Sequence, residues 1–142
     1  MKRLLIVVDY QNDEIIYTLD THFDDYLTTA EGKSLPVPHC IKGTVGHKLY
    51  GGLADALKGK LCFEKNTFPS LEMAKYLEGK DFDTIELCGL VSNICILSNA
   101  VMAKSACPNS EIIVDSSLTA AADEEMHHKS LDVMKGLFIK VL

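Results

Sequence analysis

The sequence predicts an α/β fold of three layers, α/β/α, around a mainly parallel six-stranded sheet. Three observations carry this expectation. Short apolar runs recur along the chain, each bounded by Gly, Asp, Asn or Ser and each too short for a helix. Segments with apolar residues at helical spacing lie between the later runs. Acids, a lysine and a cysteine follow closely on several runs, as they would at the carboxyl edge of a parallel sheet, where ligands bind. At 142 residues the chain is expected to form one domain, residues 1–142, large enough for a proper core.

The first run, Leu4–Val8, ends in Asp9, and the second, Ile15–Leu19, ends in Asp20. Both read as buried strands, yet only Tyr10–Glu14 separates them. Parallel neighbours need a crossover of about a dozen or more residues, usually a helix. Residues 20–58 break the rhythm: they are rich in polar residues, Gly, Pro and His, and read as a long functional loop segment. Strands are then expected at Lys60–Phe63, Thr84–Cys88, Glu111–Val114 and Leu137–Val141. Leu71–Leu77 has helical spacing, and Asn93–Ala106, apolar nearly all round, predicts a buried helix. Ala120–Met134 opens on alanines followed by acids, which suit the positive end of a helix dipole.

Composition narrows the partners. Apolar residues make up 47% and charged residues 24%, which is ordinary for a globular protein. A net charge of −6 speaks against nucleic acid or an anionic membrane, both of which call for basic patches. No apolar run approaches the ~20 residues of a membrane span. The basic start followed by Leu4–Val8 is too short an apolar run, and lacks a small-residue cleavage site, for a signal peptide. Five cysteines in no paired spacing point to a reducing cytoplasm rather than a disulfide framework.

The strand ends suggest where chemistry sits. Asp9, Asp20 and Glu64–Lys65 follow the first three strands, and Gly89 leads through LVSNI to Cys95. A thiol at a helix N-terminus has its thiolate stabilised by the dipole and by a neighbouring cation, as a nucleophile requires. Each residue alone has an ordinary reading: a small core cysteine, a turn aspartate, a solvated lysine. Cys62, Cys88 and Cys107 are read as core cysteines. Only the joint placement of an acid, a lysine and a cysteine on one sheet edge points to catalysis.

Three stretches in this order, LLIVVDYQND, EKNTFPS and CGLVSNICI, resemble the isochorismatase-like cysteine hydrolases, and within them the nicotinamidases. The resemblance implies a Rossmann-like α/β fold and a catalytic triad of Asp9, Lys65 and Cys95. It also implies a cis peptide shortly before the cysteine, expected at Val91–Ser92, which helps aim backbone N–H groups, that of Cys95 included, into an oxyanion hole. A second likeness lies in the loop segment. DTH at 20–22 and HCIKGTVG at 39–46 resemble the metal-binding segment of nicotinamidases. Asp20, His22 and His39 are then expected to hold a divalent ion, zinc first, with Glu31 as a further ligand; on spacing alone this set is weak. His47, His127 and His128 are expected at the surface.

The implied reaction is hydrolysis of a small amide, nicotinamide foremost, to the acid and ammonia through a cysteine thioester. Alternatives are a related hydrolase of another small amide or carbamoyl compound, or a catalytically silent binding module. Family members commonly form homo-oligomers. The family also carries a loop and a helix before its second strand, which this chain lacks. Asp13–Glu14 therefore joins segments that are not neighbours in the family, through a stretch dropped from the sequence or through a real deletion.

Overall fold

The computed structural model describes residues 14–142. Strand β1, Ile16–Asp20, runs parallel to β2, Leu61–Lys65, with Ile16 opposite Leu61 and Asp20 opposite Lys65. A second parallel sheet has the order β3 (Thr84–Leu90), β4 (Glu111–Ala120), β5 (Lys140–Val141). The described residues thus form five strands in two parallel sheets rather than six in one. The expected strand Leu4–Val8, Asp9 at its end, and Asp13 of the Asp13–Glu14 junction lie outside the described residues.

Two short helices, α1 (Ala30–Ser34) and α2 (Leu53–Ala56), punctuate the segment between β1 and β2. The later strands are joined by three more: α3 (Leu71–Leu77), α4 (Leu97–Ala106) and α5 (Glu124–Gly136). Local chemistry sets their starts. Ser70 caps α3 by accepting from Met73 N–H, and Asp123 caps α5 by accepting from Met126 N–H. Glu124 and Glu125 then occupy the first turn of α5, where the dipole favours acids. Leu77, Ile96, Ala100, Ile112, Val114 and Met134 form the heart of the core, where α3, α4 and α5 meet the second sheet. Among the described residues no helix is long and apolar enough to cross a membrane.

Three boundaries depart from the sequence expectation, each for a tertiary reason. The alanine run expected to open α5 instead belongs partly to β4, because Thr119 and Ala120 pair with Gly89 and Leu90 beyond a large bulge. Pairing with a neighbouring strand outweighs the helix propensity of alanine. The helix expected from Asn93 begins as a π turn over Ser92–Ile96, with Ile96 N–H donating to the Val91 carbonyl at 3.0 Å. The last strand is shorter than expected because Leu137 caps α5 and Phe138 takes φ +60°, so extended backbone starts only afterwards.

Candidate active site

The register of the first sheet places the first pair. Asp20 and Lys65 end adjacent parallel strands opposite each other, so both side chains reach the carboxyl edge together. Both are buried, and Lys65 Nζ donates to Asp20 Oδ1 at 3.1 Å. Nζ also donates to the Thr67 carbonyl at 3.0 Å and stands 3.5 Å from Cys95 Sγ. A buried ammonium therefore sits between a carboxylate and a thiol. A thiolate beside a cation is the favoured state of a nucleophilic cysteine.

Cys95 reaches this position through the turn that follows β3. Gly89 adopts φ +123°, which only glycine takes without steric cost, and the Leu90–Val91 peptide is cis. The cis bond lies one peptide earlier than the expected Val91–Ser92. Ile94 and Ile96 both donate to the Val91 carbonyl, which closes the turn, and Cys95 lies within it, 6% exposed. Asn99, one helical turn on, fastens the two halves together. Its Nδ2 donates to the Cys95 carbonyl at 2.8 Å and to the Phe68 carbonyl at 3.1 Å, while its Oδ1 accepts from Ser70 N–H at 2.8 Å. The loop that follows Lys65 and the turn that carries Cys95 are thus tied through one buried amide. Asn99→Ala would leave two carbonyls and an N–H without this partner, and should cost about 3 kcal/mol in urea unfolding.

The other side of Asp20 faces a cluster of imidazoles. Asp20 Oδ2 is 3.4 Å from Nε2 of both His22 and His39. Glu31 Oε1 is 3.6 Å from His22 Nε2 and 3.5 Å from His39 Nε2. His39 comes alongside because residues 40–42 bridge to His22: His22 N–H donates to the Cys40 carbonyl and Lys42 N–H to the His22 carbonyl. The Tyr26 ring, 1% exposed, packs edge-on against both imidazoles. Burial, and then the negative charges of Glu31 and Asp20, push the Tyr26 phenol above its ordinary pKa. It therefore stays protonated and donates to the Leu35 carbonyl at 2.9 Å.

This cluster fits a divalent metal ion. One ligand atom from each of Asp20, His22 and His39 lies within 4.8 Å of the others. His39 Nδ1 is 2.8 Å from the Val37 carbonyl, which can only accept, so Nδ1 carries the proton and Nε2 turns its lone pair to the cluster. His22 Nε2 is buried and has no hydrogen-bond partner, a costly state for a polar atom unless a ligand meets it. Imidazole nitrogens with carboxylates suit zinc or a similar ion.

Glu31 is delivered by α1, whose cap is Thr29, accepting from Gly32 N–H at 3.0 Å. A β-carbon on Gly32 would stand 2.0 Å from the Tyr26 carbonyl oxygen. Gly32→Ala must therefore push α1, and Glu31 with it, off the cluster. Zinc affinity should fall by about tenfold, the scale of a lost supporting contact, when measured by chelator competition.

The structure therefore brings Lys65 and Cys95 together, and Asp20, His22, His39 and Glu31 together, with Asp20 common to both groups. Asp9 lies outside the described residues. Two histidines expected at the surface are engaged instead. His47 Nε2 is 2.9 Å from Thr21 Oγ1, between two cluster residues, and His127 Nδ1 is 2.9 Å from Ser92 Oγ. His128 is exposed as expected. Asn99 left one signal in the sequence, an amide set among Leu97, Ala100 and Val101. His127 left none, since its partner is distant in the chain.

Parallel sheets with covering helices, and polar groups gathered at the carboxyl edge, define an α/β protein with its candidate site at the strand ends. The isochorismatase domain model matches residues 10–142, and the chain belongs to that family. Among solved structures it resembles the nicotinamidase PncA of Bacillus subtilis, with 25% identity and a TM-score of 0.76, over 91% of this chain and 74% of that one. It also resembles the pyrazinamidase/nicotinamidase of Streptococcus mutans UA159, with 27% identity and a TM-score of 0.77, over 92% and 76% of the two chains. The pyrazinamidase of Pyrococcus horikoshii, solved in complex with zinc, shares the fold at 20% identity and a TM-score of 0.73, over 91% and 74%. No curated protein matches the chain.

Proposed function

We propose that this chain is a cysteine amidohydrolase that cleaves a small amide, nicotinamide foremost, to the carboxylic acid and ammonia. The observation that carries the reading is Lys65 Nζ, held between the Asp20 carboxylate and the Cys95 thiol beside a cluster fitted for a metal ion. In the proposed mechanism Asp9 takes the Cys95 proton, and Lys65 favours the resulting thiolate. The sulfur attacks the amide carbonyl, and the oxyanion is held by backbone N–H groups of the turn, that of Cys95 among them. Asp9 returns the proton to the departing ammonia as the C–N bond breaks. Water then hydrolyses the thioester, giving the acid and restoring the thiol.

Asp20, His22, His39 and Glu31 would hold the metal, zinc first. When bound, the ion supplies a Lewis-acid contact for a ring nitrogen or for its water, which orients the substrate. Asp20 has a double task in this scheme, facing the cluster with one oxygen and Lys65 with the other.

The test is an ammonia-release screen over nicotinamide, pyrazinamide and several carbamoyl compounds, with Cys95→Ala alongside. Turnover of nicotinamide that is lost in the variant supports the reading. Release only from carbamoyl compounds would move the substrate class and keep the chemistry.

A further inference from the structure

We propose that His127 is a positioning residue for the nucleophile turn, acting through the Ser92 hydroxyl. This deepens the proposed function and rests on its assignment of Cys95 as nucleophile.

Ser92 is 0% exposed and stands between the cis peptide and Cys95. Burying a hydroxyl without a partner is costly, so what it bonds matters. The partner is His127 Nδ1 at 2.9 Å, from a residue 35 positions away on α5. The location of His127 is set by α5. α5 is capped by Asp123 and anchored in the core by Leu131 and Met134, and Ser130 Oγ donates to the His127 carbonyl at 2.7 Å.

The turn's own backbone bonds run inward, from Ile94 and Ile96 to the Val91 carbonyl. Asn99 holds its far end through the Cys95 carbonyl. The Ser92–His127 bond grips the near end, so the turn is fixed from both sides. Fixing matters because oxyanion donors act only when already in place, within about 0.5 Å of the productive geometry. A neutral imidazole suffices: Nδ1 can donate to the hydroxyl or accept from it. His127 is half-buried, and its replacement removes a grip on the turn rather than a piece of the core.

The test uses the full chain with His127→Ala, His127→Asn, Ser92→Ala and the His127→Ala/Ser92→Ala double variant. Two readouts are taken: kcat and KM for amide hydrolysis, and backbone hydrogen exchange over residues 92–96 without substrate. Each alanine variant should lower kcat by about tenfold, with KM changed by less than about twofold, and should speed exchange over 92–96 by about tenfold. The double variant should be no worse than either single one, as expected when both remove the same bond. His127→Asn, whose side-chain amide can reach roughly where Nδ1 sits, should recover most of both losses. Unchanged exchange and kcat in His127→Ala would overturn the proposal, and so would losses that multiply in the double variant. If the unmodified protein hydrolyses no amide in the screen, the function reading fails, and the exchange data alone decide this one.

Discussion

Cys95→Ala is expected to lower kcat by about four orders of magnitude or more while the fold persists. The substitution removes one sulfur from a turn whose shape is held by the Val91 carbonyl, Asn99 and Ser92, not by the thiol. Two of the other cysteines are poor substitutes. Cys107 Sγ donates to the Leu77 carbonyl inside the core. Burial pushes the Cys62 thiol above its ordinary pKa, so at neutral pH it is even less ionised than a free cysteine. Cys62→Ala should therefore leave turnover unchanged, and iodoacetamide should label Cys95 ahead of Cys62. Cys95→Ala with more than about a hundredth of the original kcat would remove it as the nucleophile.

Asp20→Asn is expected to damage the proposed metal site and the proposed Lys65–Cys95 pair at once. The carboxylate is 3% exposed and is shared between Lys65 on one side and His22 and His39 on the other. Removing its charge leaves a buried lysine without this counter-ion, at a cost of about 3–5 kcal/mol of stability. It also takes an anionic ligand from the cluster, so zinc affinity should fall by more than the about 10–100-fold typical of losing a supporting contact. His22→Ala separates the two effects, since His22 faces the cluster and not Lys65. It should lose zinc comparably, with a smaller loss of stability. Calorimetric zinc titration and urea unfolding of both variants measure the difference. If Asp20→Asn binds zinc normally, the cluster is not a metal site.

Local pattern accounts for much of the fold. Short apolar runs bounded by turn residues located β1 to β3 to within two residues and the start of β4, because strands that pack against helices carry short apolar stretches. Leu71–Leu77 matched α3 at both ends, since a serine cap and helical spacing are local properties. Lys65 and Cys95 could be picked out because Lys65 ends β2 and Cys95 follows soon after β3, and strand ends in such a sheet share one edge.

Everything that depends on pairing between distant segments was fixed by packing. The extension of β4 past its bulge, and with it the late start of α5, came from contact with Gly89 and Leu90, which no local propensity encodes. The double use of Asp20 follows from the β1–β2 register, and the arrival of His39 from its bridge to the His22 strand end. Asn99 and His127 bond to groups whose positions are set by folding, not by spacing along the chain. A sequence can mark a residue as reactive or polar, because that is chemistry carried by one side chain. Which two groups meet at 3 Å is settled only when the whole chain has packed, because small shifts in register or helix start move side chains by more than a hydrogen bond can tolerate.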